Sequence, residues 1–354
     1  MRQGLRNSCR GKIAIFRPNS LASFVQGVAN HMKSHSLLAL LSVGVGAIFT
    51  VAPMSARADE AFFVSNTNNT IEQFTPTGVG SQFTNSGLHS PEGLAIDSAG
   101  NVYAANSANT AIEKYTPAGG TGTVFSSFGT SNKAGLAFDS MGDLFAAGFG
   151  NNTIEEYSPA GTPSVFASDP GDHSVVYQPQ GIAFDSLGNL YVANLNFIEK
   201  FTPAGSPSRF ATPGHALGGL AIDSDNNVFV SYFNDNKIEE FNSLGNDEGA
   251  FADPNDSSIL AIPLGLAFDS DGNLYAANIT NFIEEFAPDG TPSRFATDPG
   301  DGTVMHDPQY IAIGVVPEPS SLALLCVGTG ILLVATRRRN HQISPDGHLA
   351  PWCV

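Results

Sequence analysis

One hexapeptide pattern recurs through the middle of the sequence and constrains the fold more than any other feature. It reads Gly-[Leu/Ile]-Ala-[Phe/Ile]-Asp-Ser, and its five copies begin at Gly93, Gly135, Gly181, Gly219 and Gly265. A degenerate sixth copy, Tyr310-Ile311-Ala312-Ile313, follows at a similar interval. Spacings of 38 to 46 residues are typical of arrays in which each repeat is one supersecondary unit.

Each repeat predicts four short β-strands joined by tight turns. The apolar runs are four to six residues long, rich in Phe, Tyr, Ile and Val, and bounded by Gly, Pro, Asn and Asp, which is typical of strands. Asp-Ser-x-Gly-Asn closes a first hairpin, since it supplies a side-chain acceptor and a glycine for positive φ. No segment between the chain ends shows sustained helical periodicity. Because a four-stranded unit cannot bury both faces alone, the repeats are expected to stack radially as a β-propeller.

The number of blades follows from where the repeats begin and end. The chain enters at Phe62–Asn66, which aligns with the second strand of a repeat, and the matching first strand is supplied by Tyr310–Ile313 at the far end. One blade is therefore built from both termini, which removes exposed strand edges. We predict an all-β, six-bladed propeller with four-stranded blades, closed by the C-terminal strand.

The repeats resemble those of NHL-repeat propellers, a group that includes gluconolactonase-like and streptogramin-lyase-like proteins. Family repeats read Gly-[Leu/Ile]-Ala-x-Asp, then Gly-Asn-[Leu/Val]-Tyr, then Ile-x-x-Phe, and this likeness covers nearly all of residues 59–314. The resemblance implies the fold. It does not imply one function, because propellers host enzymes, receptors and scaffolds.

The N-terminal segment has the anatomy of a secretory signal peptide. An uncharged apolar run, Leu37–Ala52, is followed by Ala56-Arg57-Ala58, a small-x-small cleavage signature. Met32 offers an alternative start that would give a leader of ordinary length. A membrane-spanning helix is the other interpretation, and the short, Gly-rich run disfavours it.

The C-terminal segment resembles the PEP-CTERM sorting signal of Gram-negative bacteria. It reads Pro317-Glu318-Pro319, then an apolar run over Leu322–Ala335, then Arg337-Arg338-Arg339. The resemblance implies transient insertion in the inner membrane, recognition by an exosortase, and a secreted or cell-surface location; a plain membrane anchor is the alternative. The predicted segments are a signal peptide at 1–58, the propeller at 59–315, a sorting signal with a short transmembrane helix at 316–339 and a tail at 340–354.

Charge and cysteine content limit the function of the exported part. Residues 59–316 contain six Lys and Arg against 31 Asp and Glu, a net charge of −25. Such a surface repels phosphate backbones, so nucleic acid is excluded as a partner. All three cysteines, Cys9, Cys326 and Cys353, lie outside this region, so it has no disulfide and no thiol nucleophile.

Strand direction predicts which residues meet at one mouth of the central channel. The start of strand one and the end of strand two share a face of a blade. Candidate ligand-binding residues at this mouth are Glu92, Gln180 and Gln309 before strand one, Asn66, Asn106, Asn194 and Asn278 at the end of strand two, and His89, His215 and His306 in the loops between blades.

Two catalytic hypotheses use these residues. Glu92-Gly93 resembles the Glu-Gly of gluconolactonase-type propellers, which implies Ca²⁺ or Mg²⁺ held by Glu92, Asn106 and Asn194. Against it, the family's second carboxylate is replaced by Gln180, by Gln309 or by an apolar residue, so no general base remains. A streptogramin-lyase-like use of the histidines is the other hypothesis, and their uneven spacing disfavours it. No cofactor is firmly implied.

Two further acidic sets recur once per blade and indicate structural roles. The aspartates of the hexapeptide, Asp97, Asp139, Asp185, Asp223 and Asp269, are expected to cap the first hairpin. The strand-three glutamates, Glu72, Glu113, Glu155, Glu199, Glu239 and Glu284, are expected to form a solvated acidic ring. The leading functional hypothesis is a non-enzymatic, exported propeller that binds a protein or glycan, in the exopolysaccharide setting that the sorting signal implies. The runner-up is a metal-dependent lactonase or lyase at Glu92.

Overall fold

The computed structural model describes residues 60–127, 132–252, 257–298 and 305–316. The predicted signal peptide, the sorting residues from Pro317 to Arg339 and the tail lie outside these ranges. Among the described segments, none forms a helix with the length and apolar character required to cross a bilayer. The 24 strands of the described ranges form six four-stranded sheets. The predicted six-bladed β-propeller is confirmed.

In every blade, strand one lies at the centre of the ring and strand four at the rim. In that order, blade 1 contains β24 (Pro308–Val315), β1 (Glu60–Asn66), β2 (Thr70–Phe74) and β3 (Gly80–Thr84); blade 2 contains β4 (Pro91–Ile96), β5 (Val102–Asn106), β6 (Ala111–Tyr115) and β7 (Thr123–Ser127); blade 3 contains β8 (Lys133–Phe138), β9 (Leu144–Gly148), β10 (Thr153–Tyr157) and β11 (Pro163–Ser168). Blade 4 contains β12 (Ile182–Phe184), β13 (Leu190–Ala193), β14 (Ile198–Phe201) and β15 (Pro207–Ala211); blade 5 contains β16 (Leu217–Ile222), β17 (Val228–Tyr232), β18 (Lys237–Phe241) and β19 (Asp247–Ala252); blade 6 contains β20 (Pro263–Phe268), β21 (Leu274–Asn278), β22 (Phe282–Phe286) and β23 (Pro292–Thr297).

The first and last segments of the described chain pair in blade 1, as the repeat phase predicts. Strand β24 lies antiparallel to β1, with Phe62 opposite Ile313, Phe63 opposite Ala312 and Val64 opposite Ile311. Strand one of blade 1 is therefore supplied by the C-terminal end of the described chain. This closure leaves no central strand of the described ranges without a hydrogen-bonded neighbour.

The repeat glycine allows neighbouring first strands to approach at the centre of the ring. A Cβ atom on Gly93 would overlap the carbonyl oxygen of Ala134 in blade 3, and one on Gly219 would overlap that of Leu264 in blade 6. Gly265 faces the backbone of Tyr310 in blade 1 in the same way. The glycine is needed at this position because any side chain would meet backbone atoms of the next blade.

The hexapeptide aspartates cap the hairpin between strands one and two, as predicted. In blade 4, Asp185 Oδ1 accepts the backbone N–H of Leu187 and of Asn189, and Oδ2 accepts the Asn189 side-chain amide at 2.7 Å. The same backbone bonds recur at Asp97, Asp139, Asp223 and Asp269. Each carboxylate thus satisfies donors that the turn would leave unpaired.

The hydrophobic core consists of six clusters, each shared by two adjacent blades. Between blades 2 and 3, for example, the Tyr103 ring makes edge-to-face contacts with Phe125 and Phe138, with ring centroids 5.0 Å apart in both pairs. Adjacent blades are therefore held together largely by apolar burial and aromatic contacts, to which single hydrogen bonds between blades add, such as that from the Ser231 hydroxyl to the Leu264 carbonyl at 2.8 Å.

Candidate functional site

The ring has two faces, which differ in the segments that form them. The loops that enter strand one and the turns between strands two and three form one face, which we name the mouth face. The turns between strands one and two and between strands three and four form the opposite face, which we name the base. All ten predicted ligand-binding residues belong to the mouth face or to the strand ends that reach it.

The four predicted asparagines are buried and hold the loops of the mouth face. Each is 0% exposed. Its side-chain oxygen accepts a backbone N–H from the loop that enters strand one of the same blade. The pairs are Asn66 with His306 at 3.2 Å, Asn106 with His89 at 2.8 Å, Asn194 with Tyr177 at 2.7 Å and Asn278 with Ala261 at 2.8 Å.

The amide nitrogens of these asparagines are also used within the protein. Asn106 donates to the Gly87 carbonyl at 3.0 Å, Asn278 to the Ala276 carbonyl at 3.2 Å, and Asn66 to the Thr70 hydroxyl at 3.1 Å. Asn194 makes a longer bond to the Val192 carbonyl at 3.4 Å. We name this set of four side chains the asparagine frame, because the loops are mounted on it. That the asparagines bind a ligand stays a prediction.

We expect Asn278→Ala to destabilise the protein by roughly 1–3 kcal/mol, because the buried Ala261 N–H would lose its acceptor. The measurement is the free energy of unfolding from urea titration followed by circular dichroism. The matched control is Asn196→Ala, an exposed position on the mouth face of blade 4, where a change within about 0.5 kcal/mol is expected. Equal losses in the two variants would contradict the structural role of the frame.

Glu92 lies beside the closing strand of blade 1. Its backbone oxygen accepts the Ser65 hydroxyl at 2.6 Å, and the same hydroxyl oxygen accepts the Tyr310 N–H at 3.1 Å. Burial raises the pKa of the Glu92 carboxyl, and a hydrogen bond from the Ser107 hydroxyl opposes this shift. Burial also raises the pKa of Tyr310, and the Glu92 charge adds to that rise. The two side chains are therefore electrostatic neighbours.

Tyr310 was not among the predicted site residues. It stands at the register where the other five blades have the repeat glycine. The sequence showed this difference, because the degenerate sixth repeat has a tyrosine where the other five repeats have glycine.

The two predicted glutamines of the mouth face are half-buried. The backbone of Gln180 makes hydrogen bonds with Ala193 and Gly135, and the Gln309 side-chain amide donates to the Asp307 carbonyl at 2.9 Å.

The predicted histidines lie in separate loops, and each has its own surroundings. His215 is exposed, with Nδ1 2.8 Å from Asp235 Oδ2 and its ring 5.2 Å from that of Tyr232. His89 is exposed beside Glu113, and His306 is half-buried. His173, the fourth histidine of the described ranges, makes a similar contact, with Nδ1 2.7 Å from Asp169 Oδ2.

The donor atoms at the mouth do not fit a resident Ca²⁺ or Mg²⁺. The described ranges contain no group of three or more His, Cys, Asp or Glu side chains placed to hold a metal ion. In the predicted set of Glu92, Asn106 and Asn194, both amide oxygens already accept backbone hydrogens. One partly buried carboxylate is left, whereas these hard cations require several oxygen ligands.

The strand-three glutamates correct an expectation drawn from the sequence. Glu72, Glu113, Glu155, Glu199, Glu239 and Glu284 are only 1–7% exposed, so they do not form a solvated ring. Four of them have a cationic partner: Lys133 for Glu155, Arg209 for Glu199, Lys237 for Glu239 and Arg294 for Glu284. In blades 4 and 6, the strand-four bulge places Arg209 opposite Glu199 and Arg294 opposite Glu284, and strict alternation along the strands does not predict that register.

Glu72 differs from these four because no ion pair joins it to a Lys, Arg or His of the described ranges. Its Oε2 atom is buried without a hydrogen-bond partner. Burial raises the pKa of Glu72 to about 7, although a hydrogen bond from Thr70 opposes the shift. The carboxyl is therefore partly protonated at neutral pH in the folded protein.

This shift predicts a pH-dependent effect of Glu72→Gln. Because the folded pKa lies above the unfolded value, the wild type loses stability as pH rises from about 4.5 through 7. The glutamine variant lacks this loss, so its stability relative to wild type should rise by roughly 2 kcal/mol between pH 5 and pH 8. Urea unfolding at both values measures the difference. Glu199→Gln is the control and should destabilise at pH 8, since it leaves Arg209 unpaired. A pH-independent difference for Glu72→Gln would contradict the interpretation.

Comparison with known proteins adds information on the segment that follows the described ring. The PEP-CTERM protein-sorting motif matches residues 315–339. The chain has an exosortase sorting signal. The motif implies processing by an exosortase and places the protein at the surface of an exosortase-bearing bacterium, a group that is mostly Gram-negative. The signal begins at the last residue of β24, so it follows the ring directly.

Solved structures support the fold of the exported ring. A chain of the nidogen/laminin complex is 20% identical, with a TM-score of 0.60, over 72% of this chain and 98% of that one. Streptogramin B lyase is 21% identical, with a TM-score of 0.50, over 69% of this chain and 76% of that one. No curated protein matches the sequence. At these identities the likeness shows the fold and not the activity.

Proposed function

We propose that the protein is a non-enzymatic binding module whose mouth-face loops recognise a protein or glycan at the cell surface. The observation that supports this most is the asparagine frame. It anchors the loops of four blades through one side-chain hydrogen bond each. The loops differ in length and in much of their sequence, although those entering blades 1 and 4 both begin with Asp-Pro-Gly-Asp, at 298–301 and 169–172. A rigid scaffold that presents dissimilar loops is a typical arrangement for recognition.

The loops present exposed residues beyond their anchor points. In the loop that enters blade 4, residues 170–174 are all exposed, whereas Val176 is fully buried and Tyr177 is bonded to the frame. The loop that enters blade 6 has the same organisation, with Ser258 exposed and Leu260 buried. The exposed parts can therefore vary in sequence without disturbing the core.

Charge further limits the class of ligand. All six Lys and Arg side chains of the described ranges form ion pairs inside the ring: Lys114 with Asp97, Lys200 with Asp185, and the four that pair with strand-three glutamates. The remaining acidic residues give the ring a strongly negative field. A neutral glycan or a cationic protein surface suits this field, and an anionic polymer does not.

The test is binding to immobilised exopolysaccharide from the producing bacterium, measured by surface plasmon resonance. We expect the wild type to bind and a variant with residues 170–174 replaced by Gly and Ser to lose at least tenfold in affinity. Leu187→Ser, on the base of the same blade, is the control and should bind as the wild type does. Equal binding by both variants would contradict recognition through the mouth face.

Calorimetry with Ca²⁺ and Mg²⁺ tests the alternative of a metal-dependent lactonase or lyase. Wild type and Glu92→Ala are compared. Binding tighter than about 10 µM that disappears in Glu92→Ala would favour the enzyme. No heat in either protein supports the binding module, because the mouth then lacks the ion on which that chemistry depends.

A further inference from the structure

Blades 4 and 6 each hold an arginine of strand four against the strand-three glutamate. In blade 4, Arg209 of β15 stands opposite Glu199. In blade 6, Arg294 of β23 stands opposite Glu284 in the same register. The arginine Nε lies 2.9 Å from the glutamate Oε2 in blade 4 and 2.7 Å in blade 6, and each guanidinium also donates to a backbone carbonyl of the loop that enters its blade. Both arginine side chains are 36–40% exposed, so this position, which we name the arginine slot, opens to solvent.

Blade 1 has the same glutamate but lacks both residues that complete the slot. In blades 4 and 6 the guanidinium lies over a phenylalanine two residues before the glutamate, 3.5 Å from the ring centroid of Phe197 and 3.7 Å from that of Phe282. In blade 1, Thr70 stands at that position and Gln82 stands opposite Glu72. Both replacements are smaller and uncharged, and both are at least partly exposed. The slot of blade 1 therefore receives no cation from its own strands.

Glu72 is left without a partner for one of its oxygens. The residue is only 2% exposed, yet its Oε2 atom has neither a hydrogen bond nor an ion pair among the residues that the structure describes. All six Lys and Arg side chains of the described ranges pair with other carboxylates. A buried carboxylate of this kind is costly for the protein, so a cation that reaches it is bound favourably.

The titration of Glu72 depends on burial and on no neighbouring charge. Burial raises its pKa to about 7, and the hydrogen bond from Thr70 opposes the shift. The titratable residues described in the loop that enters blade 1, Asp298, His306 and Asp307, are not among the causes of this shift. The charge of the slot therefore changes near neutral pH through this one carboxyl.

We propose that the slot of blade 1 binds a guanidinium group, the side chain of an arginine on a partner protein, between Glu72, Thr70 and Gln82. The planar group takes the place that an arginine of the chain itself fills in blades 4 and 6, and its N–H groups meet the unpaired carboxylate oxygen. Rotation of the exposed Gln82 side chain opens the way to the carboxyl.

Charge favours this class of ligand. Residues 59–316 contain six Lys and Arg against 31 Asp and Glu, and such a field attracts a cationic side chain. A divalent metal ion does not suit the slot, because it requires several oxygen ligands and Glu72 is a single carboxylate. This inference goes beyond the proposed function, because the slot is in blade 1 and does not depend on what the loop of blade 4 binds.

Calorimetric titration of the full chain with N-acetyl-argininamide tests the slot. The matched control probe is N-acetyl-citrullinamide, in which a neutral urea replaces the guanidinium. At pH 8, where Glu72 is ionised, the first compound should bind at least tenfold more tightly than the second. Its affinity should fall at least tenfold between pH 8 and pH 5.5, because protonation of a carboxyl with a pKa of about 7 removes the charge. Equal affinity for the two probes at pH 8 would overturn the proposal.

Proton release distinguishes the slot from the acidic surface of the ring. At pH 7 about half of the Glu72 carboxyls are protonated, so binding should release up to about half a proton. The release is measured from the dependence of the binding heat on the ionisation enthalpy of the buffer. Exposed carboxylates are already ionised at this pH and release none. Binding without proton release would place the probe on the surface and contradict the proposal.

Three variants identify the residues that form the slot. Glu72→Gln should lower the affinity for N-acetyl-argininamide at least tenfold and abolish proton release. Gln82→Arg should fill the slot from its own strand, with the same loss of binding and a rise of at least about 3 °C in the midpoint of thermal unfolding at pH 8. Glu156→Gln, the control, removes one carboxylate from strand three of blade 3 and should bind as the wild type does.

Two outcomes with these variants would refute the slot. One is equal binding by Glu72→Gln and Glu156→Gln, and the other is a Gln82→Arg chain that still binds the probe and melts no higher than the wild type. Replacement of residues 170–174 by Gly and Ser leaves all of these readouts unchanged. Failure of the proposed function is therefore distinguishable from failure of this inference.

Discussion

Gly93→Ala is expected to lower the midpoint of thermal unfolding by at least about 6 °C or to prevent folding. The new Cβ atom would overlap the Ala134 carbonyl oxygen and lie 2.9 Å from the Gly135 carbonyl carbon. Both are backbone atoms of the neighbouring first strand, so no rotamer change relieves the contact. Separation of blades 2 and 3 would cost about 3 kcal/mol or more, and for a chain of this size each kcal/mol shifts the midpoint by about 2–4 °C.

Gly314→Ala is the matched control for this substitution. Here the atom closest to the added Cβ is Ile96 Cδ1 at 2.9 Å, the far end of a flexible side chain. A rotation of Ile96 can relieve this contact, and the neighbouring Cγ2 and Cβ atoms at 3.2 and 3.3 Å require only a small shift, so the loss should stay below about 1.5 kcal/mol. Circular dichroism melts of the two variants provide the comparison. Equal midpoints would contradict the close packing of first strands at the repeat glycine.

Lys133→Ala is expected to destabilise the protein by about 3–5 kcal/mol, because it leaves a charge buried without its partner. Lys133 is 0% exposed and Glu155 is 1% exposed. The Lys133 ammonium lies 3.6 Å from Glu155 Oε2 and donates to the Thr110 carbonyl at 3.1 Å. Tyr157 donates to the same carboxylate oxygen at 2.6 Å. Urea unfolding at pH 8 measures the loss.

Two variants show whether the buried charge is the cause. Lys133→Met combined with Glu155→Gln removes both charges and should recover at least half of the loss. Lys114→Ala breaks the more exposed pair with Asp97, and its cost should stay below about 1 kcal/mol. If the double variant is as unstable as Lys133→Ala, lost packing and not the unpaired carboxylate explains the effect.

The fold could be predicted from the sequence because its determinants are local and repeated. The hexapeptide sets the first hairpin, and its aspartate makes the same backbone bonds in five blades. The closure of the ring could be predicted because the partial repeat that begins at Phe62 lacks a first strand, and the partial repeat at Tyr310 supplies one. Neither inference required knowledge of packing between blades.

The candidate site was less predictable because its side-chain environment depends on packing between segments distant in sequence. Asparagine at the end of strand two suggested an open polar surface. Instead, the side-chain oxygens of Asn106 and its three equivalents accept backbone N–H groups from loop residues that lie 17 or more positions away in the sequence. The buried glutamates illustrate the same limit. All six strand-three glutamates are buried, and four of them have a cationic partner; periodicity along the strand predicts neither fact.

Closure of the ring by the last strand is tested most directly by comparing two shortened chains in thermal unfolding. One ends at Val316 and keeps every strand of the described ranges; of these strands, the other chain, which ends at Asp307, lacks only β24. The first should unfold in a single transition at the midpoint of the parent chain. The second should lose that transition or melt tens of degrees lower, since β1 and the first strands of blades 2 and 6 lose their neighbour. Equal midpoints for the two chains would contradict a ring closed by β24.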